Sequence, residues 1–139
     1  MNLGLVKYDA KTLLALKQAI DGSEKFFRHL LESGHAELAA FSNLLQDDPK
    51  AEQFLIRTGH SWLGLLSHAI DGDERARLWI RTHLHEANTF FFLACRGDEK
   101  AMSWFRFMKV EVLSEVAQAV ADLRNRQELD RAFPYKKHF

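Results

Sequence analysis

The chain has 139 residues, 47% of them apolar and 27% charged, the balance of one globular domain rather than of a disordered segment. Lysine plus arginine equals aspartate plus glutamate, 19 each, so the basic excess of a nonspecific nucleic-acid binder is missing. The single cysteine, Cys95, rules out an intramolecular disulfide framework. A lone thiol suits a reducing compartment. No stretch reaches the ~18 apolar residues of a membrane span, and Met1 to Asp9 lacks the basic start and apolar run of a secretion signal. A cytoplasmic protein with no membrane segment is the expectation.

Two prolines and seven glycines leave little room for long irregular loops. No sustained Val/Ile/Thr alternation marks a strand. The tetrapeptide Ala19-Ile20-Asp21-Gly22 recurs as Ala69-Ile70-Asp71-Gly72, and half that offset orders the whole chain. Gly22, Asp47, Gly72 and Gly97 are each 25 residues apart, as are His35, His60 and His85. The chain divides into units 10–34, 35–59, 60–84 and 85–109 and a degenerate cap, 110–134. A fixed period of this kind marks stacked supersecondary units.

Within each unit the first apolar stripe has helical spacing. Leu13, Leu38, Leu63, Asn88 and Leu113 form one column; Leu16, Phe41, Leu66, Phe91 and Val116 form the next. Gly22, Gly72 and Gly97 can take the left-handed conformation that closes a helix. Ser23, Asp48, Asp73 and Asp98 follow as N-caps. Glu24, Pro49, Glu74 and Glu99 then suit a first helical turn. A stop followed at once by a cap predicts a tight αα-hairpin. The second helix carries the columns His29, Phe54, Trp79, Trp104 and Leu30, Leu55, Ile80, Phe105. Gly34 and Gly59 end it. The last unit has lost this punctuation, and Glu111 to Asp130 reads as one long helix covering the open end of the stack. The tail, Phe133 to Phe139, reads as poorly ordered or docked through its aromatics. The fold class is therefore all-α: an αα-hairpin repeat, a solenoid-like stack of about five units with a C-terminal capping helix.

The run Ala69-x-x-Gly72-Asp73-x-x-Ala76-x-x-Trp79-Ile80 resembles the ankyrin-repeat core, and the pattern returns at Ala94 to Phe105 and more weakly at Ala19 to Leu30. The likeness covers residues 10–109. The units are about eight residues shorter than ankyrin repeats, so the projecting β-hairpin finger has no room. The Thr-Pro-Leu-His opening is reduced to a histidine. The resemblance implies a stacked αα-solenoid whose family role is protein binding. It assigns no site residue.

Seven histidines raise the question of metal. His35, His60 and His85 stand in one column, but stacked helices lie roughly 8–10 Å apart, too far for one zinc ion with nitrogens at about 2.0–2.1 Å. His83, His85 and Glu86 share one turn and make the better cluster. The competing account is polar residues bonding free backbone groups at helix ends, and the expectation is that no metal binds there. The basic ladder Lys25, Lys50, Arg75 and Lys100 would suit a phosphate backbone, but Glu24, Glu74 and Glu99 beside it indicate a solvated mixed-charge face. Cys95 falls in an apolar column and reads as an inert core thiol. No catalytic residue, phosphate loop or cofactor motif stands out.

More informative are aromatic and apolar residues in polar columns. Trp62 stands where other units have Thr12, Glu37 and Ala87; Phe92 replaces Lys17, Ser42, Ser67 and Ala117; Leu93 replaces Gln18, Asn43 and His68. Such outliers mark either a protein interface or additional core, and for Trp62 and Phe92 both readings stay open. Phe107 and Met108, at polar positions beside the last helix, read as buried under it. The sequence thus points to a non-enzymatic interaction module, with Trp62, Phe92 and Leu93 as contacts for a protein partner or a second copy. The alternative is a small-ligand or metal-binding sensory domain using His83, His85, Glu86 and the Phe90–Phe92 region.

Overall fold

A computed structural model describes residues 2–132 of the chain, so the expectation for Phe133 to Phe139 lies outside the described residues. Nine α-helices make up most of it: α1 (Ala10–Ile20), α2 (Glu24–Glu32), α3 (Ala36–Leu45), α4 (Pro49–Arg57), α5 (Ser61–Ile70), α6 (Glu74–His83), α7 (Ala87–Cys95), α8 (Glu99–Phe107) and α9 (Glu111–Ala132). Among the described residues there is no strand beyond one isolated bridge between Asn2 and Leu84. The protein is all-α, and consecutive helices pack as hairpins.

The hairpin turns form as the punctuation requires. Gly22, Gly72 and Gly97 take φ of 101°, 98° and 86°, a conformation that costs glycine nothing. Their amides close the preceding helix, as when Gly22 N–H donates to the Ala19 carbonyl at 3.0 Å. One residue later the cap oxygens of Asp73 and Asp98 accept the amides of Ala76 and Ala101, each at 3.0 Å. Asp47 holds the glycine position of the second hairpin with φ 67°.

The apolar columns become the core. Leu16, Phe41, Leu66, Phe91 and Val116 are all fully buried, and so are Leu30, Leu55, Ile80 and Phe105. The first helices α1, α3, α5, α7 and α9 lie side by side in that order. Each second helix covers the seam between two of them: α2 lies on α1 and α3, α4 on α3 and α5, α6 on α5 and α7, and α8 on α7 and α9. The row curls so far that α9 packs against α1 as well as against α7. The capping helix thus meets both ends of the stack.

Two polar devices complete this closure. Near the end of α9, Arg124 Nη1 and Gln127 Nε2 both donate to the Leu45 carbonyl at 2.9 Å, at the C-terminus of α3. Arg124 Nε also lies 3.0 Å from Asp71 Oδ1, at the C-cap of α5. The second device is Asn88, the polar outlier in a leucine column. It is fully buried, its Oδ1 accepts the Leu5 amide at 3.0 Å, and its Nδ2 donates to the Leu3 and His85 carbonyls. It therefore fastens a short 3₁₀ turn, Gly4–Lys7, onto α7. The expectation that Phe107 and Met108 bury under α9 is corrected: they are 83% and 48% exposed. The α8 helix ends with their side chains outside its contact with α9.

Candidate protein-binding groove

Second helices do not meet one another closely, so the repeat leaves three grooves, each floored by the first helix between two second helices. Residues 25 apart line them in turn, which makes the three directly comparable.

The α2/α4 groove is apolar. Its floor is Ala36, Ala39 and Ala40 of α3, and its walls are Phe27 and Leu31 of α2 and Phe54 of α4. It encloses about 230 Å³. Leu31 is 47% exposed, and Phe27 and Phe54 are half-buried. Asn43, Asp48 and Lys50 stand at one end. Alanines at 36, 39 and 40 share one helix face, so the floor is low and a visiting side chain can approach the α3 backbone.

In the α4/α6 groove the equivalent residues are Glu52, Ile56, Ser61, Gly64 and Leu65. Here Glu52 Oε1 lies 2.7 Å from His68 Nε2. Glu52 also occupies the space above Gly64, since a Cβ there would sit 3.5 Å from Oε1. The hydrogen-bonded Glu52 and His68 side chains lie across this groove. In the α6/α8 groove, Phe90 takes the place of Ala40 and stacks on Trp104 with ring centroids 4.3 Å apart. Arg77 takes the place of Phe27 and donates from Nε to the Ala69 carbonyl at 2.8 Å. That groove is filled by aromatic rings and a guanidinium. Of the three, only the first has partly exposed apolar walls over an alanine floor that no polar or aromatic side chain among the described residues crosses.

The aromatic outliers lie elsewhere. Trp62 is 5% exposed and Phe92 0%, and Leu93 is half-buried against the core. Both side chains are buried, so of the two readings left open for Trp62 and Phe92 the interface one is corrected. Lys7 Nζ lies 5.2 Å from the Trp62 ring centre, and the Arg77 guanidinium lies 4.9 Å from that of Phe92. Both rings fill space between elements of this chain, which is the core-packing alternative. The signal that would have located the groove instead is the run of small residues Ala36, Ala39 and Ala40 between two walls.

The histidine cluster does not converge. His83 Nδ1 lies 2.9 Å from the Trp79 carbonyl, and its ring stacks on Trp79. His85 Nδ1 instead accepts the Ala87 amide at 3.1 Å. Among the described residues no group of three or more His, Cys, Asp or Glu side chains is arranged to hold a metal ion. His35 and His60 are turn residues, with Nδ1 3.2 Å from Ser33 Oγ and from Thr58 Oγ1 respectively. Lys25, Lys50, Arg75 and Lys100 are all exposed. Cys95 is buried, and burial pushes its thiol pKa well up. Tyr8 is shifted upward as well, first by burial and then by its 2.8 Å hydrogen bond to Glu37. No described helix is long and apolar enough to cross a membrane.

No protein-family model matches the chain, and neither the curated proteins nor the solved structures include a significant match.

Proposed function

We propose that this chain is a non-enzymatic interaction module of the helical-repeat type, and that its α2/α4 groove takes apolar side chains from a protein partner. The observation that carries this reading is the difference between equivalent grooves. The protein's own side chains cross two of them, and the α2/α4 groove is lined with Phe27, Leu31, Ala36, Ala39, Ala40 and Phe54 but left open. Apolar surface left in water is costly, and a partner that covers it gains roughly 1.5–3 kcal/mol per large side chain buried. Two such anchors suffice for a specific contact, because a few residues carry most of the affinity of an interface. The walls are two antiparallel-flanked helices of nine residues each, about 13 Å long at 1.5 Å per residue. That length leaves room for two apolar residues one helical turn, about 5.4 Å, apart on a short segment. The free thiol of Cys95 fits a reducing, cytoplasmic setting.

The test is selection from a displayed library of short random peptides, followed by anisotropy titrations. Selected sequences should carry paired large apolar residues, and Leu31→Asp should weaken their binding at least ten-fold (about 1.4 kcal/mol) without lowering the melting temperature. Binding that ignores Leu31→Asp, or a selection yielding no apolar pair, defeats the proposal.

A further inference from the structure

The array has five first helices but four second helices among the described residues. In the register of the repeat, Asp122 and Leu123 hold the places of Gly22-Ser23, Gly72-Asp73 and Gly97-Asp98. Asp122 stands there as Asp47 does in the second hairpin, but Leu123 lacks the cap oxygen of Ser23, Asp48, Asp73 and Asp98, and α9 runs on for 22 residues. Its counterparts α1, α3, α5 and α7 stop after 11, 10, 10 and 9. Every other seam between first helices is covered by a second helix. Among the described residues, none covers the α9/α1 seam.

An open groove follows that seam, lined by Lys17 and Asp21 of α1 and by Glu115, Gln118, Ala119 and Asp122 of α9. Covered members of the Lys17 column, Ser42, Phe92 and Ala117, are fully buried; Lys17 itself is half-open. Glu115 stands where other first helices carry Ala15, Ala40, Leu65 and Phe90. Lys17 pairs with Asp21 at 3.7 Å, and these two charges offset one another. Glu115 and Asp122 remain as a negative surplus, both exposed. Leu14, 41% exposed, stands one turn before Lys17 on the same face of α1 and supplies an apolar contact beside the acids.

We propose that the uncovered α9/α1 seam is a docking site for a basic amphipathic helix of a partner protein, seated where a fifth second helix would lie. The chain's own second helices have nine or ten residues, and the site takes a helix of that length. Its apolar edge lies toward Leu14 and Ala119, and its lysines or arginines face Glu115 and Asp122. This surface is separate from the α2/α4 groove.

The probe is a helix-stabilised synthetic peptide with the sequence of residues 73–84, the second helix richest in arginine (Arg75, Arg77 and Arg81). It is titrated to ~1 mM, the weak end of specific binding, into isotopically labelled full-length protein followed by amide chemical shifts. The expected result is shifts at Leu14, Lys17, Glu115, Gln118, Ala119 and Asp122. The double variant Glu115→Lys, Asp122→Lys should bind roughly ten-fold more weakly, as charge reversal at a partly exposed interface predicts. It should melt with the parent, because both side chains are exposed. A peptide with its three arginines changed to glutamate should then favour the variant over the parent. Four outcomes overturn the proposal: no shifts up to that concentration, shifts indifferent to the double variant, shifts confined to the α2/α4 groove, or shifts centred on α5 and α7, where the probe would be replacing α6. Only the third of these speaks for the groove itself.

Discussion

Replacing Asn88 by leucine separates the logic of the repeat from the logic of the structure. Position 88 belongs to the column Leu13, Leu38, Leu63 and Leu113, so restoring the consensus should stabilise the fold if repeats were all that mattered. The structure predicts the opposite. Leucine would leave the buried Leu5 amide without its 3.0 Å partner, whereas the Leu3 carbonyl, which loses Asn88 Nδ2, keeps the Val6 amide. Each buried polar group so stranded costs about 1–3 kcal/mol. The chain can limit that loss by peeling residues 2–7 off α7, but the fully buried Leu5 would then be exposed, at roughly 1.5–3 kcal/mol. The smaller loss wins, so Asn88→Leu should destabilise the protein by about 1–3 kcal/mol, less whatever the leucine gains by its own burial. Gly4→Ala should act in the same direction. Gly4 has φ 62°, and a Cβ there would lie 2.4 Å from Asn88 Oδ1. Urea denaturation gives the magnitude, and hydrogen exchange at the Leu5 amide reports whether the segment has peeled away. An Asn88→Leu protein that unfolds at or above the parent midpoint, with Leu5 still protected, would refute the reasoning.

Trp62→Ala and Phe92→Ser should each cost about 3–5 kcal/mol, as truncation of a buried aromatic does; near-parental melting of either variant would return that residue to the surface. Cys95 should stay unreactive toward a thiol reagent in the folded protein, because a buried thiol held in its neutral form is a poor nucleophile, and labelling should track denaturant-induced opening; rapid labelling under native conditions contradicts this. Lys109 occupies the left-handed region with φ 58°, where the equivalent turns use Gly34 and Gly59, so Lys109→Gly should raise stability by about 1 kcal/mol, read as a higher denaturation midpoint; a lower one would show that the turn is not strained.

Helices and turns were legible in the sequence because they rest on local chemistry. A glycine that closes one helix and an aspartate that caps the next act within a few residues, and the 25-residue period repeats the signal often enough to stand out. Burial of the Leu16 and Leu30 columns follows from the same periodicity. Long-range contacts left no comparable trace. Asn88 stood unexplained in a leucine column because its partners, Leu3 and Leu5, lie more than 80 residues away. Trp62 and Phe92 looked like candidate surface anchors because a column predicts equal surroundings for every unit, whereas Lys7 lies over the Trp62 ring and Arg77 and Arg81 lie over that of Phe92. The α2/α4 groove carries the quietest signal of all. Alanine is unremarkable in any helix, and Ala36, Ala39 and Ala40 become a floor only once the helices on either side stand apart.

The uncovered seam and the closure of the stack have one origin. Residues 121–132 can either turn back over α9 as a second helix or continue α9 beyond the ends of its neighbours. They continue, and this carries Arg124 and Gln127 to the Leu45 carbonyl and Arg124 to Asp71. A guanidinium at the C-termini of α3 and α5 meets the negative ends of both helix dipoles, and the carbonyl at Leu45 gains two donors that no residue of its own hairpin supplies. The ion pair itself adds little, because Asp71 is half exposed and its charge is screened by water. The gain lies in geometry: α9 touches α1 and α7 by packing and α3 and α5 through Arg124, so one helix engages every other first helix. A chain that placed a glycine and a cap at 122 and 123 would cover the α9/α1 seam but withdraw Arg124 from both helix ends. The sequence departs from its own repeat at Leu123, the cap position where that choice is made.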